Sequence, residues 1–251
     1  MSRFRKLLGL PVAPDYKSWR QAAGLGGPNP YMHERIFPGA ARTDVLSEHV
    51  ARYAFALEYC GGARSVLDLG CGTGYGSEML SWAVADVRGF DIWEPTAEQR
   101  PQWPGPNDLV WGHDLCADPL PKADWAVWFE NIEHLPDASA ALRLAWKSVD
   151  GIIASFPNPK YHGSHMNEFH VTDWSLDQFE SELRLASEPR FSDIDILHFH
   201  QELNSPRLTS GRDPDASFWV VVARGIPQGM SEPSLALAAR LNHEDGHGHS
   251  H

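Results

Sequence analysis

The sequence predicts an α/β fold, a doubly wound, seven-stranded sheet whose last strand runs antiparallel. From Ser65 onward short apolar runs alternate with helix-like segments, the order that builds parallel strands joined by right-handed crossovers. The first of these runs ends in a glycine-rich turn, Asp68-Leu-Gly-Cys-Gly-Thr-Gly74, that opens directly into a helix. The final two runs follow one another with no helix between them, so one end of the sheet must reverse direction.

Taken in order, residues 11–38 are rich in Pro, Gly and aromatic side chains and read as an irregular arm with one short helix near Lys17–Ala23. A helix is expected over Thr43–Tyr59, where Val45, Leu46, His49, Val50, Tyr53, Ala54 and Leu57 recur at helical spacing until Gly61-Gly62 stops it. Strands are expected at Ser65–Leu69, Val87–Ile92, Leu109–His113, Trp125–Phe129 and Ile152–Phe156, each short and apolar as strands covered on both faces should be. Helices at Tyr75–Ala85, Thr96–Arg100 and Ala138–Ser148 lie between them. A polar segment, Pro157–Trp174, precedes a helix at Leu176–Leu185 and strands at Ile194–His200 and Phe218–Ala223. Beyond Gly225 come a Pro/Gly linker, an apolar helix at Leu235–Leu241 and a His-rich end. The expected division is an arm or lid over 1–42, one domain over 43–225, and a linker, short helix and flexible tail over 226–251.

Composition narrows the function classes. Of 251 residues 42% are hydrophobic and 22% charged, as in ordinary globular proteins, and no apolar run nears the roughly 20 residues of a membrane span. The charge, 21 − 33 = −12, repels phosphate backbones and ranks nucleic acid low among partners. Cys60, Cys71 and Cys116 are odd in number and lack paired spacing, which predicts reduced thiols and a cytoplasmic setting. The basic start, Met1 to Leu10, has too short an apolar core for a signal peptide. Thirteen histidines include His243, His247, His249 and His251 at the end, whose spacing can bind metal adventitiously.

The glycine turn decides between cofactors. Glycines there allow a tight turn and a close ligand approach at a helix N-terminus. The dinucleotide pattern fails, because the position it reserves for a third Gly or Ala holds Tyr75 or Ser77. Asp68-x-Gly70-x-Gly72-x-Gly74 instead resembles the first motif of class I S-adenosylmethionine-dependent methyltransferases, which have a Rossmann-like sheet. The resemblance spans Leu46 to Arg224. It implies that Asp68 is linked to the cofactor's methionine amino group and that Gly70, Gly72 and Gly74 accommodate its adenosyl part. It further implies that Asp91, ending the second strand about 20 residues on, accepts hydrogen bonds from the ribose hydroxyls. Asp114 and Leu115, in Gly112-His-Asp-Leu115, stand where the family reads adenine.

On the acceptor side, Trp128-Phe-Glu-Asn-Ile-Glu-His134 follows the fourth strand. If the chain turns helically, Glu130, Glu133 and His134 share one face, either as an acid/base cluster or as ligands of a divalent cation. The segment resembles the Glu-x-x-Glu-His of ubiquinone-type O-methyltransferases and of enzymes that methylate the 3′-terminal 2′-hydroxyl of small RNAs. In the RNA group this motif binds a divalent metal together with a later histidine. His170, in Asn167-Glu-Phe-His-Val-Thr172, is the candidate, and its segment looks like one in methyltransferases of sugars and small metabolites, with Thr172 replacing their usual Arg. His162 and His165 are the weaker substitutes, and the arm through Tyr31, Met32, His33, Glu34, Arg35 and Phe37 reads as a lid.

The expected function is methyl transfer from S-adenosylmethionine to a hydroxyl of a small metabolite or sugar. Asp68, Gly70, Gly72, Gly74, Asp91, Asp114, Leu115 and Glu130 are assigned to the cofactor. Glu133, His134 and His170 are assigned to catalysis, and the same three with Glu130 to a divalent cation such as Mg²⁺. A 2′-O-methyltransferase acting on an RNA 3′ end and a non-catalytic cofactor-binding protein are the alternatives. No membrane partner is expected, and the oligomeric state is left open.

Overall fold

A computed structural model of the chain describes residues 43–95 and 108–229. Helix α1 (Thr43–Cys60) precedes β1 (Ser65–Leu69), α2 (Tyr75–Leu80), β2 (Asp86–Asp91), β3 (Asp108–Trp111) and β4 (Ala123–Phe129). A 3₁₀ turn (Ile132–His134), α3 (Ala138–Ser148), β5 (Val149–Pro157), α4 (Pro159–His162) and α5 (Leu176–Ser187) follow. The chain closes with β6 (Phe191–Gln201), β7 (Leu208–Ser210) and β8 (Phe218–Pro227). The helices expected at Lys17–Ala23, Thr96–Arg100 and Leu235–Leu241 lie outside the described residues.

The strands form one mixed sheet in the order β3-β2-β1-β4-β5-β8-β6-β7. The pairs β1–β2, β1–β4, β2–β3 and β4–β5 are parallel, and β8 runs antiparallel between β5 and β6. The expected reversal at one end is therefore present, but the sheet has eight strands and not seven. The added strand, β7, pairs only Leu208, Thr209 and Ser210 with β6 and is mostly exposed. Three residues on a solvated edge need no apolar alternation, so nothing in composition marks them as strand.

Alternation along the buried strands assigns residues to two layers. Leu67, Leu69, Trp128, Ile152, Ala154, Trp219 and Val221 face α3 and α5, where Leu142, Trp146, Phe179 and Leu183 meet them. Their neighbours Val66, Val127, Ile153, Val220 and Val222 face α1 and α2 through Tyr53, Ala56, Cys60, Met79 and Leu80. Burial raises the Cys60 thiol to about 12.

Local chemistry sets the helix ends. Ser175 caps α5 by accepting from the Gln178 N–H while Gln178 reaches back to the Ser175 N–H, a complete capping box. Asp137 caps α3 through the Ala140 N–H. Helix α2 is shorter than expected, because tightened turns after Leu80 leave Trp82 at the surface and bury Val84 before β2. No helix of the described residues is long and apolar enough to cross a membrane.

Leu183 is fully buried between α5 and the sheet. Leu183→Ala is expected to lower the unfolding free energy by about 2–5 kcal/mol. Ser175→Ala, which removes only a cap, should cost about 1 kcal/mol. Equilibrium urea unfolding of both variants checks the order.

Candidate active site

The sheet order reverses between β1 and β4, so the carboxyl ends of these strands frame the crevice where open α/β sheets bind ligands. Strand β1 delivers Asp68 and Leu69 there and passes into the glycine turn. Gly70 has φ 69° and an added Cβ would lie 2.3 Å from the Asn131 side chain. Gly72 has φ 54°, and a Cβ there would meet nothing within 4 Å, so the turn presents bare backbone to open space. The Gly72 N–H donates to Asp91 Oδ2 at 2.8 Å and the Trp93 N–H to Asp91 Oδ1 at 2.8 Å, which fixes the carboxylate beside the turn.

A cavity of about 250 Å³ opens over this turn, lined by Gly70, Gly72, Asp91, Glu130, Asn131 and His134, among others. Asp68 stands behind this wall, fully buried, and accepts from Tyr53 Oη at 3.0 Å and Ser77 Oγ at 2.6 Å. Burial pushes its carboxyl up to about 7, the Asp91 charge adds to the rise, and the two hydrogen bonds oppose it. The Tyr53 phenol is raised in turn by burial and by Asp68. Gly74, Asp114 and Leu115 lie outside the cavity lining. Asp114 accepts from the Cys116 N–H at 2.8 Å in a local turn, and Leu115 is buried in the α3/α5 layer.

On the other side, Glu130 leaves β4 in the left-handed region, φ 47°, before the 3₁₀ turn begins at Ile132. Its side chain is thereby separated from Glu133 and His134. Glu130 Oε1 accepts from Ser155 Oγ at 2.7 Å and lies 3.4 Å from Arg52 Nη1. The residues that do converge are Glu133, His134 and His170, whose ligand atoms all lie within 4.8 Å of one another. Two of them come from the 3₁₀ turn and the third from the loop after α4, docked by the Val171 and Thr172 N–H groups on the Glu133 carbonyl. His134 Nδ1 donates to the Phe169 carbonyl at 3.0 Å and His170 Nδ1 to the His162 carbonyl. A carbonyl can only accept, so each neutral ring keeps its lone pair on Nε2, the tautomer a metal ligand needs. Glu133 Oε1 lies 3.8 Å from His134 Nε2. Of the weaker candidates, His162 stacks on Phe218, and His165 is exposed.

Four residues near the cavity were not singled out from sequence. Helical spacing places His49 and Tyr53 on the buried face of α1, and both line the cavity, as does Asn131. Arg52 is fully buried, donates from Nε to Gln201 Oε1 at 2.7 Å and lies 4.6 Å from the Phe218 ring centre. Helical periodicity marked the face of α1 but not what that face meets. The arm residues 31–37 lie outside the described residues.

Gly70→Ala combines a left-handed alanine with a collision against Asn131, whose Oδ1 is held by Trp128 Nε1 at 2.9 Å. Gly72→Ala carries only the backbone cost, about 1–2 kcal/mol. Urea unfolding is expected to show Gly70→Ala as the more destabilised of the two.

No family model matches the chain. A probable S-adenosylmethionine-dependent methyltransferase of Mycolicibacterium smegmatis is 38% identical over 112 residues, 43% of this chain and 42% of that protein. One of Mycobacterium tuberculosis is 31% identical over 164 residues, 61% of this chain and 56% of that protein. The chain thus spans about half the length of the curated relatives it matches. Among solved structures, a methyltransferase from Archaeoglobus fulgidus superposes with a TM-score of 0.54 at 20% identity, covering 78% of this chain and 100% of that one. The chain has the fold of the class I S-adenosylmethionine-dependent methyltransferases.

Proposed function

We propose that the protein transfers a methyl group from S-adenosylmethionine to a hydroxyl of a small metabolite or sugar. The observation that carries this reading is one cavity in which the open glycine turn and Asp91 meet His134, the member of the histidine–carboxylate cluster that lines it. The two matched relatives support the transfer itself.

The residues fit the cofactor. The bare backbone at Gly72 leaves room for a ligand, and the Gly72 and Trp93 N–H groups fix the Asp91 carboxylate beside it, where it would accept from ribose hydroxyls. Asp68 supplies negative charge behind the turn for the methionine ammonium. Asp114 and Leu115 would serve the adenine, and Glu130, held by Ser155 and Arg52, would border the transferred methyl.

Glu133, His134 and His170 would hold a divalent cation such as Mg²⁺. When bound, it would lower the pKa of an oxygen ligand and orient it. The protein's share of the work is alignment of acceptor oxygen, methyl and sulfur, which contributes about 7–11 kcal/mol in well-oriented reactions. The same cluster favours the second reading, methylation of an RNA 3′ end. The charge of −12 ranks it below the small-molecule reading.

Methyl transfer from tritium-labelled cofactor should be measured against free hexoses, nucleotide-linked sugars, catechols and a short RNA with a free 3′ end. Transfer to a sugar or small hydroxylated acceptor is expected. Transfer confined to the RNA would establish the second reading, and bound cofactor without any transfer would overturn both. Chelation and His170→Ala should each cut turnover about a hundredfold while cofactor affinity holds. Full activity in chelator would remove the metal from the proposal.

Asp68 gives a pH dependence. Its folded value, about 7, exceeds the ordinary 3.8, so its contribution to ligand-free stability is complete below 3.8 and is lost as pH rises through 7. Cofactor binding runs the other way, because the ammonium prefers the ionised carboxylate. Affinity for S-adenosylhomocysteine should climb between pH 6 and 8 by no more than about tenfold per unit, and Asp68→Asn should flatten that climb. Titration calorimetry at three pH values checks it.

A further inference from the structure

The proposed reaction releases one proton: as the acceptor oxygen bonds to the methyl carbon and the carbon–sulfur bond breaks, the O–H proton must go to a base. Under the reading above, Glu133, His134 and His170 would hold a cation, and none of them would then be available for it. The other titratable groups lining the cavity differ in what they can take up. Tyr53 and Tyr75 have their phenols raised by burial and are protonated at neutral pH. Cys71 is buried, and an ordinary thiol is mostly protonated at pH 7. Asp91 and Glu130 are already accepting, Asp91 from two backbone N–H groups and Glu130 from Ser155 beside Arg52.

That leaves His49. It projects from α1 into the same cavity, one turn before Tyr53 and next to Arg52 on the helical surface. Neither of its ring nitrogens makes a hydrogen bond to a described residue. We propose that His49 is the general base of the reaction: a ring nitrogen takes the hydroxyl proton as the oxygen attacks the methyl, S-adenosylhomocysteine leaves with the electron pair of the broken carbon–sulfur bond, and the imidazolium then returns the proton to water. This assignment rests on the methyltransferase reading. Burial, and then the Arg52 guanidinium, hold His49 well below the ordinary histidine range, so the ring is neutral and carries a lone pair at neutral pH.

The test compares the full chain with His49→Gln and His49→Ala, using the tritium assay on whichever acceptor of the panel the wild type methylates and calorimetric binding of S-adenosylhomocysteine. Turnover is expected to fall about 10²–10⁴-fold in both variants with cofactor affinity nearly unchanged. Added imidazole should restore part of the rate in His49→Ala alone, and more basic imidazoles should restore more. Gln keeps the side-chain volume, so the comparison stands if the Ala variant folds poorly. Turnover within about threefold of wild type in His49→Gln would overturn the role of His49 and leave the methyltransferase reading intact. A wild type that binds cofactor and methylates nothing in the panel would overturn that reading, and this inference with it.

Discussion

The buried carboxylate of Asp68 is the constraint on which the cavity is built. It sits at the end of β1 with no solvent access, and its two oxygens are held by Tyr53 from α1 and Ser77 from α2. Burying a charge without partners is costly, and two hydroxyl donors compensate only in part, hence the carboxyl raised to about 7. The arrangement locks α1 and α2 against the same strand end. A Cβ at Gly76 would come 1.9 Å from the Tyr53 ring, so α2 can approach this closely only through a glycine. The glycine turn is thus flanked by a polar clamp that holds α1 and α2 on the end of β1.

The position of α1 has consequences on the acceptor side. With Tyr53 docked on Asp68, Arg52 is directed into the protein, where it meets Gln201 at the end of β6, the Phe218 ring at the start of β8, and Glu130. A buried guanidinium needs a counter-charge. Glu130 supplies it by leaving β4 in a left-handed conformation that costs on the order of 1–3 kcal/mol for a non-glycine residue. Ser155 on β5 holds the other side of that carboxylate oxygen. Glu130 is thereby withdrawn from Glu133 and His134, and the converging group becomes Glu133, His134 and His170.

Features written within a few adjacent residues were legible in the sequence, and those that depend on distant segments were not. The strand-turn-helix at Asp68 to Tyr75 could be read because β-propensity, glycine and helix onset all act locally. Helix α3 matches its expected span, since Asp137 caps it and β5 begins immediately after Ser148. The expectation that Glu130 shares a face with Glu133 and His134 assumed helical backbone through position 130. What breaks that assumption is a partner 78 positions away, Arg52, and a hydroxyl 25 positions away, Ser155. Strand β7 escaped for a different reason: its three residues bury almost nothing and are held by pairing with the edge of β6. His49 was visible as one position in an apolar stripe, yet the stripe continues over both the core and the cavity, and periodicity does not distinguish the two.

The imidazoles of the site are differentiated by hydrogen bonding, although their residue type is the same. In His134 and His170 a backbone carbonyl holds the Nδ1 proton, and the rings stand edge to face at a centroid distance of 4.8 Å, so rotation of either ring would break its carbonyl bond. Such rings are oriented in advance and suit a fixed ligand position, because the entropy of holding them has already been spent in folding. A general base needs a lone pair within reach of the hydroxyl proton, and an anchored ring whose Nε2 a cation would occupy does not offer one. His49, on a helix and without such an anchor among the described residues, has no ring nitrogen committed in that way. The division follows from where each ring is attached: the 3₁₀ turn and the docked loop provide carbonyls at hydrogen-bonding distance, whereas the carbonyls beside His49 are directed along the axis of α1.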